Sequence, residues 1–348
     1  METIRYNLLV MDKRRLAGWA VLLSLGLALG LGPRPVGGTG QVGALLPPSL
    51  PWNIERIKAP QAWPITQGSP EIVVAVIDSG IDFSLPELAE VRWVNSKEIL
   101  NGRDDDGNGY VDDVYGWDFR DNVPAHLRRT ALHSHGTAVA SVIAARAKDV
   151  VGVAPKVRIM DVRFLDSRGL FYERDWNNLA RAIDYAVANG ARIINLSLYA
   201  KTRPPKAVEE ALRQAWEKGV IVVTIAGNEG QDWVNPLGTY DFVLTVSAVD
   251  KADRRASFSN FGPEVDLAAP GAEIPVLLPK GAVGSLSGTS FAAPHVSGTL
   301  ALILSANPRL SAKEAVEVLL RTCEGLNTTG IGRGLVDAHE AVSEARRP

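Results

Sequence analysis

A nucleophile, a base and an acid lie far apart in this sequence, each in a setting that suits its chemistry. Gly288-Thr289-Ser290-Phe291-Ala292-Ala293-Pro294-His295 places a hydroxyl at the start of an apolar segment, residues 291–304, that reads as a helix. Backbone N–H groups at a helix N-terminus point outward and favour negative charge. Pro294 has no N–H to offer the Ser290 carbonyl four residues earlier. A nucleophilic serine needs a base to take its proton and a third group to orient that base. Of the five histidines, His126 and His133 lie in a polar loop, His295 is inside the Ser290 helix and His339 is on the C-terminal helix. Only His135 falls at a turn between a loop and a buried helix, in His133-Ser134-His135-Gly136-Thr137, with the helix expected to run to about residue 147. The acid is Asp78, which ends the apolar run at residues 72–77. Taken singly, each has an ordinary reading, since serine is a common helix cap and Asp78 would cap a turn.

The elements that must hold these groups follow from the apolar pattern. Residues 72–77 are a continuous, β-branched run, the signature of a strand buried on both faces of a parallel sheet. Open α/β sheets carry their chemistry at the carboxyl ends of such strands. Downstream, apolar runs alternate with helical patterns: residues 158–164 then 174–189, 192–196 then 206–217, and then 220–225. That alternation predicts a parallel sheet with crossover helices. Residues 243–249 add a strand, and helices at 290–306 and 311–322 close the domain. Asn228, in Ala226-Gly227-Asn228-Glu229-Gly230, follows the run at 220–225, so its amide also falls at a strand's carboxyl end; the same residues suit a plain turn.

The 348 residues, 46% hydrophobic, suffice for a large core, and the net charge of −2 argues for neither nucleic acid nor an anionic membrane as partner. Residues 1–32 read as a signal peptide or an N-terminal membrane anchor: Lys13-Arg14-Arg15 precede an uncharged apolar stretch, and residues 16–32 are the possible tether. Either reading puts the folded part outside the cytoplasm, secreted or extracytoplasmic. Residues 33–50 form a Pro/Gly-rich linker and 51–348 the folded domain. Cys323 is the only cysteine, which excludes an intrachain disulfide.

Val76-Ile77-Asp78-Ser79-Gly80-Ile81, His135-Gly136-Thr137 and the Ser290 segment through Gly298 resemble the three signature segments of the subtilisin-like serine proteases, in the same Asp, His, Ser order. Residues 226–230 are similar to the segment that carries that family's oxyanion-hole asparagine, and the likeness spans some five-sixths of the chain. It implies an α/β fold of three layers, with a mostly parallel central sheet and helices on both faces. It also implies an endopeptidase acting on polypeptides through an acyl-enzyme. In that scheme Ser290 attacks, His135 shuttles the proton, Asp78 orients the imidazole, and Asn228 with the Ser290 N–H receives the oxyanion. The substrate would lie extended between two edges, Gly169, Leu170 and Phe171 on one side and Ser197, Leu198 and Tyr199 on the other. Phe171 is equally an ordinary core residue.

Four departures from the family pattern matter. Ala138 and Ser141 replace the second His and the last Gly of the usual His-Gly-Thr-His-Val-Ala-Gly, and are read as packing changes. Tyr199 occupies a position where the family usually has Gly, so it either narrows the specificity pocket or folds outward. The stretch between Leu31 and Pro51 is too short for the folded propeptide many relatives carry. Residues 145–154 lack the Asn-rich calcium loop of many relatives, and no such site is expected there. Two alternatives therefore stay open: a non-catalytic binding protein on the same fold, and a membrane-tethered processing protease of narrow specificity.

A second chemical segment precedes His135. Asp104, Asp106, Asn108 and Asp112 fall at positions one, three, five and nine of a calcium loop, with Gly109 at six. Position twelve is Tyr115 rather than Glu, and Asp113 is close enough to substitute. Carboxylates this dense repel one another unless a cation lies among them. Calcium is the expected structural cofactor, with a solvated acidic loop as the alternative.

Overall fold

The apolar run at residues 72–77 forms strand β1 (Val73–Asp78), buried along its whole length. This computed structural model describes residues 50–347, so the expected leader, tether and nearly all of the linker lie outside the described residues. In chain order the elements used below are helices α1 (Trp52–Arg56) and α2 (Ala59–Ala62), β1, helix α3 (Pro86–Ala89), strands β2 (Trp117–Asp118) and β3 (Val123–Pro124), helix α4 (Ser134–Ala144), β4 (Arg158–Arg163), α5 (Trp176–Ala188), β5 (Ile193–Leu196), α6 (Lys206–Glu217), β6 (Ile221–Ile225), β7 (Val243–Val249) and β8 (Leu267–Pro270). The hairpin β9 (Ile274–Leu277) and β10 (Val283–Leu286) follows, then helices α7 (Thr289–Ala306), α8 (Ala312–Arg321) and α9 (Ala338–Ala345).

Among the described residues the main sheet has eight strands in the order β3-β2-β4-β1-β5-β6-β7-β8, with only the β2–β3 pairing antiparallel. From β1 the chain passes to β4 on one side, then back across β1 to β5 on the other. Right-handed crossovers running in opposite directions place their helices on opposite faces. Accordingly α4 and α5 both pack on β1 and β4, while α4 pairs with α7 and α5 with α6. This is the expected α/β arrangement of a mostly parallel sheet with helices on both faces. The strand order reverses at β1, and the carboxyl side of such a reversal is where open sheets hold their ligands. Asp78 is the last residue of β1.

Helix α7 is buried from Thr289 to Leu304 and packs on β5, β6, β7 and β8. A helix apolar all round belongs inside a domain rather than on its surface. Its interior histidine, His295, is fully buried: Nδ1–H donates to the Phe291 carbonyl at 2.7 Å, which leaves Nε2 to accept from Asn53 Nδ2 at 2.8 Å. Helix α1 is thereby fastened to α7. Arg56 pairs with Asp253 and Glu324, and Lys58 with Asp337, so the start of the described chain clasps its end.

The helix after His135 ends at Ala144, about three residues short of the expected point. Ala145 turns extended, Arg146 bridges Val151, and a Cβ on Gly152 would lie 2.3 Å from the Ala144 nitrogen. Tertiary contact thus overrides a local sequence that would continue the helix. Among the described residues no helix is long and apolar enough to cross a membrane.

Candidate active site

Asp78 and His135 meet at the carboxyl edge of the sheet. His135 Nδ1 lies 2.8 Å from Asp78 Oδ1 and 2.9 Å from Oδ2, with both side chains almost wholly buried. Ser79, also buried, locks the pair. Its N–H donates to Asp78 Oδ1 at 2.7 Å, and its hydroxyl donates to the His133 carbonyl and accepts from the Gly136 N–H, each at 2.9 Å. Glycine follows His135 because a Cβ there would lie 2.5 Å from the Gly80 carbonyl and 3.2 Å from Asp78 Oδ1. Thr137 follows because its hydroxyl accepts from the Asp82 N–H at 3.0 Å. His133 caps the helix, its Nδ1 accepting from the His135 N–H at 3.3 Å. Burial, then the neighbouring His135, push the His133 imidazole below its ordinary pKa, which keeps that cap neutral.

Ser290 is the second residue of α7. The preceding Gly288 has φ 155°, a conformation essentially reserved for glycine. Phe291, next in the chain, packs its ring against the His135 imidazole with centroids 5.6 Å apart, which brings His135 over the start of α7. The Ser290 carbonyl that Pro294 cannot serve accepts from Ser197 Oγ at 3.0 Å. Behind Ser197, Asn195 donates to it at 2.9 Å and in turn accepts from Ser297 Oγ at 2.8 Å, all of them buried.

Asn228 follows β6 after a turn at Gly227, whose φ is 117°. Its side-chain oxygen accepts from both the N–H and the hydroxyl of Thr289, each at 2.8 Å. With the oxygen committed, the amide NH₂ remains as a donor beside the first turn of α7; Nδ2 lies 3.6 Å from where a Cβ on Gly288 would be. Buried Asn260 fixes this loop from below, accepting from the N–H groups of Glu229 and Gln231 and donating to the Glu229 carboxylate. A nucleophile at a helix start, a base held by a buried carboxylate and a preset amide donor can together carry out acyl transfer.

Residues 69–339 match the Subtilase family. The chain belongs to that family. It is 34% identical over 296 residues to thermitase from Thermoactinomyces vulgaris, covering 84% of this chain and 96% of thermitase. It is 33% identical to subtilisin BL from Lederbergia lenta, covering 84% and 98%, and 36% identical to a thermophilic serine proteinase from Bacillus sp. (strain AK1), covering 81% and 64%. The enzyme is a serine-type endopeptidase and acts on polypeptides.

The two expected cleft edges are both at this end of the sheet. On one, the Asp166 carboxylate accepts from the N–H groups of Arg168 and Leu170 and so shapes the turn that carries Gly169. Gly169 has φ 72° and its Cβ would lie 2.9 Å from His133 Nδ1, so this edge touches the loop that holds the base. Phe171 does not line the cleft: its ring is buried between Phe164 and Trp176. On the other edge Leu198 is likewise buried, and its carbonyl accepts from Asn235 Nδ2 at 2.8 Å. Ser141, read from sequence as a packing change, joins α4 to β9 by accepting from the Leu277 N–H at 3.0 Å.

The acidic segment gathers differently from the expected loop spacing. Carboxylate oxygens of Glu98, Asp104 and Asp106 lie within 4.8 Å of one another. Glu98 was not singled out from sequence. It is buried; Oε1 accepts from the N–H groups of Asp105 and Asp106, and Oε2 has no hydrogen-bond partner. Burial, opposed by those two bonds, raises its pKa. Asn108 and Asp113 adjoin the cluster: Asp113 accepts from Asn95, Asn108 and the Tyr185 hydroxyl, which anchors the segment to α5. Asp112 turns away and accepts from the N–H groups of Asn101 and Gly102.

Proposed function

We propose that Asp78, His135 and Ser290 form the catalytic triad of this endopeptidase and that Asn228, with the Ser290 N–H, receives the oxyanion. The observation that carries this reading is the buried His135 imidazole held against both oxygens of Asp78 at the start of the helix that bears Ser290. Ser290 Oγ attacks the peptide carbonyl carbon while its proton passes to His135. The imidazolium, stabilised by Asp78, gives that proton to the leaving amine as the C–N bond breaks. Water then attacks the acyl-enzyme by the same route, and the acid product leaves Ser290 restored. A fluorophosphonate probe should label the wild-type protein and fail to label Ser290→Ala. Folded wild-type protein that takes no label overturns the assignment.

Glu98, Asp104 and Asp106 suit a calcium ion, with Asn108 and Asp113 adjoining. The donors are hard oxygens, and the buried Glu98 Oε2 is an acceptor left without a donor. The ion would supply positive charge that lets these carboxylates stay ionised side by side, and its role would be structural. Residues 1–32 are proposed as the export leader of an enzyme that works outside the cytoplasm, with 33–50 as linker and 51–348 as the peptidase domain.

A further inference from the structure

Strand β5 lies between β1, which ends at Asp78, and β6, which leads to Asn228. The chain leaving β5 therefore emerges between the acid and the oxyanion donor. Ser197 confirms the placement by bonding the Ser290 carbonyl. His135 and Phe291 bound one side of Ser290, and the leaving amine must be there to receive its proton from His135. The residue whose carbonyl is attacked then lies on the other side, bounded by residues 197–200 and the loop that begins at Asn228.

Tyr199 belongs to the first of these segments. It is 5% exposed, and its phenol neighbours the carboxylate of Glu229, the residue next to Asn228. Trp233, 40% exposed, packs against the ring with centroids 6.2 Å apart. Asn235 clamps the backbone on both sides, donating to the Leu198 carbonyl and accepting from the Ala200 N–H at 3.1 Å. Burial, and then the neighbouring Glu229, push the phenol well above its ordinary pKa, so it stays neutral.

We propose that Tyr199, braced by Glu229 and Trp233, fills the pocket for the residue that contributes the attacked carbonyl, so that the enzyme cleaves after small residues such as alanine, glycine or serine. This rests on the assignment of Ser290 and Asn228 above. Peptide anilides that differ only in the residue before the anilide test it on the full-length protein. Wild-type kcat/KM is expected to favour alanine over phenylalanine by about 100-fold; a wild-type enzyme that cleaves the phenylalanine substrate as well as the alanine one overturns the proposal. Tyr199→Gly should erase or reverse that preference, and Trp233→Ala, which removes only the outer brace, should weaken it. A preference unmoved in both variants overturns the role of Tyr199. Fluorophosphonate labelling in parallel separates the two ideas: labelled but unselective enzyme sinks the Tyr199 assignment alone, whereas absent labelling sinks the triad.

Discussion

Ser197 donates its hydroxyl to the Ser290 carbonyl at 3.0 Å and so replaces the hydrogen bond that Pro294 cannot make. Ser290 is held from behind by a strand end rather than by its own helix. Leaving a buried acceptor unsatisfied costs about 1–3 kcal/mol. Ser197→Ala should therefore lower the melting temperature. Through misplacement of Ser290 it should also lower kcat about tenfold, with KM little changed. Pro294→Ala restores an N–H to the helix, so the Ser197→Ala loss should shrink in that background. Equal losses in both backgrounds would refute the coupling.

Asn228→Ala should reduce kcat by about 10²–10³-fold, a range set by subtilisin itself, with little change in KM. Thr289→Val removes one of the two donors that fix the Asn228 oxygen, so it should cost less than Asn228→Ala and affect the same parameter. Steady-state kinetics on a single peptide substrate decides both, and a pure KM effect would count against the oxyanion role.

Acid should destabilise the protein through His295. Its pKa is lowered to about 4, chiefly by burial, so the folded state keeps it neutral. The sign follows directly. Its contribution is complete above the unfolded pKa near 6.5, declines below that, and is lost as pH falls through about 4. A gap of that size corresponds to about 3 kcal/mol. Melting curves between pH 7 and pH 4 should show a shallower decline for His295→Gln than for wild type, and parallel declines would dismiss His295 as the acid-sensitive group.

Chelation with EDTA should lower the melting temperature, because an ion bound only by the folded state stabilises it by mass action. Glu98→Gln should remove most of that sensitivity. Asp112→Asn should retain it, since Asp112 faces Asn101 and Gly102 instead of the cluster. A wild-type melting curve indifferent to EDTA would argue against the calcium assignment.

Much of the candidate site is legible in the sequence because its residues sit at ends of strongly patterned elements. An unbroken apolar run has to be a buried strand, and the polar residue that ends it, Asp78, has to face the carboxyl edge. His135 stands out by elimination among few histidines. What could not be read depends on partners distant in sequence. Glu98 has no periodic relation to Asp104 and Asp106, and only folding brings it among them. Phe171 sits in a loop, where an aromatic ring suits a cleft or a core; Phe164 and Trp176 decide for the core. The early end of α4 is set by the bridge from Arg146 to Val151, which no helix propensity encodes.

The bond between Asn53 and His295 spans 242 positions of the chain. Contacts of such range are the last that a growing or refolding polypeptide can make, and they slow folding. Until its final portion has been synthesised, the chain holds no Ser290 and nothing to receive Asn53. A ribosome-bound fragment that stops before residue 290 therefore carries Asp78 and His135 without Ser290, and the candidate site can assemble only once α7 has been made.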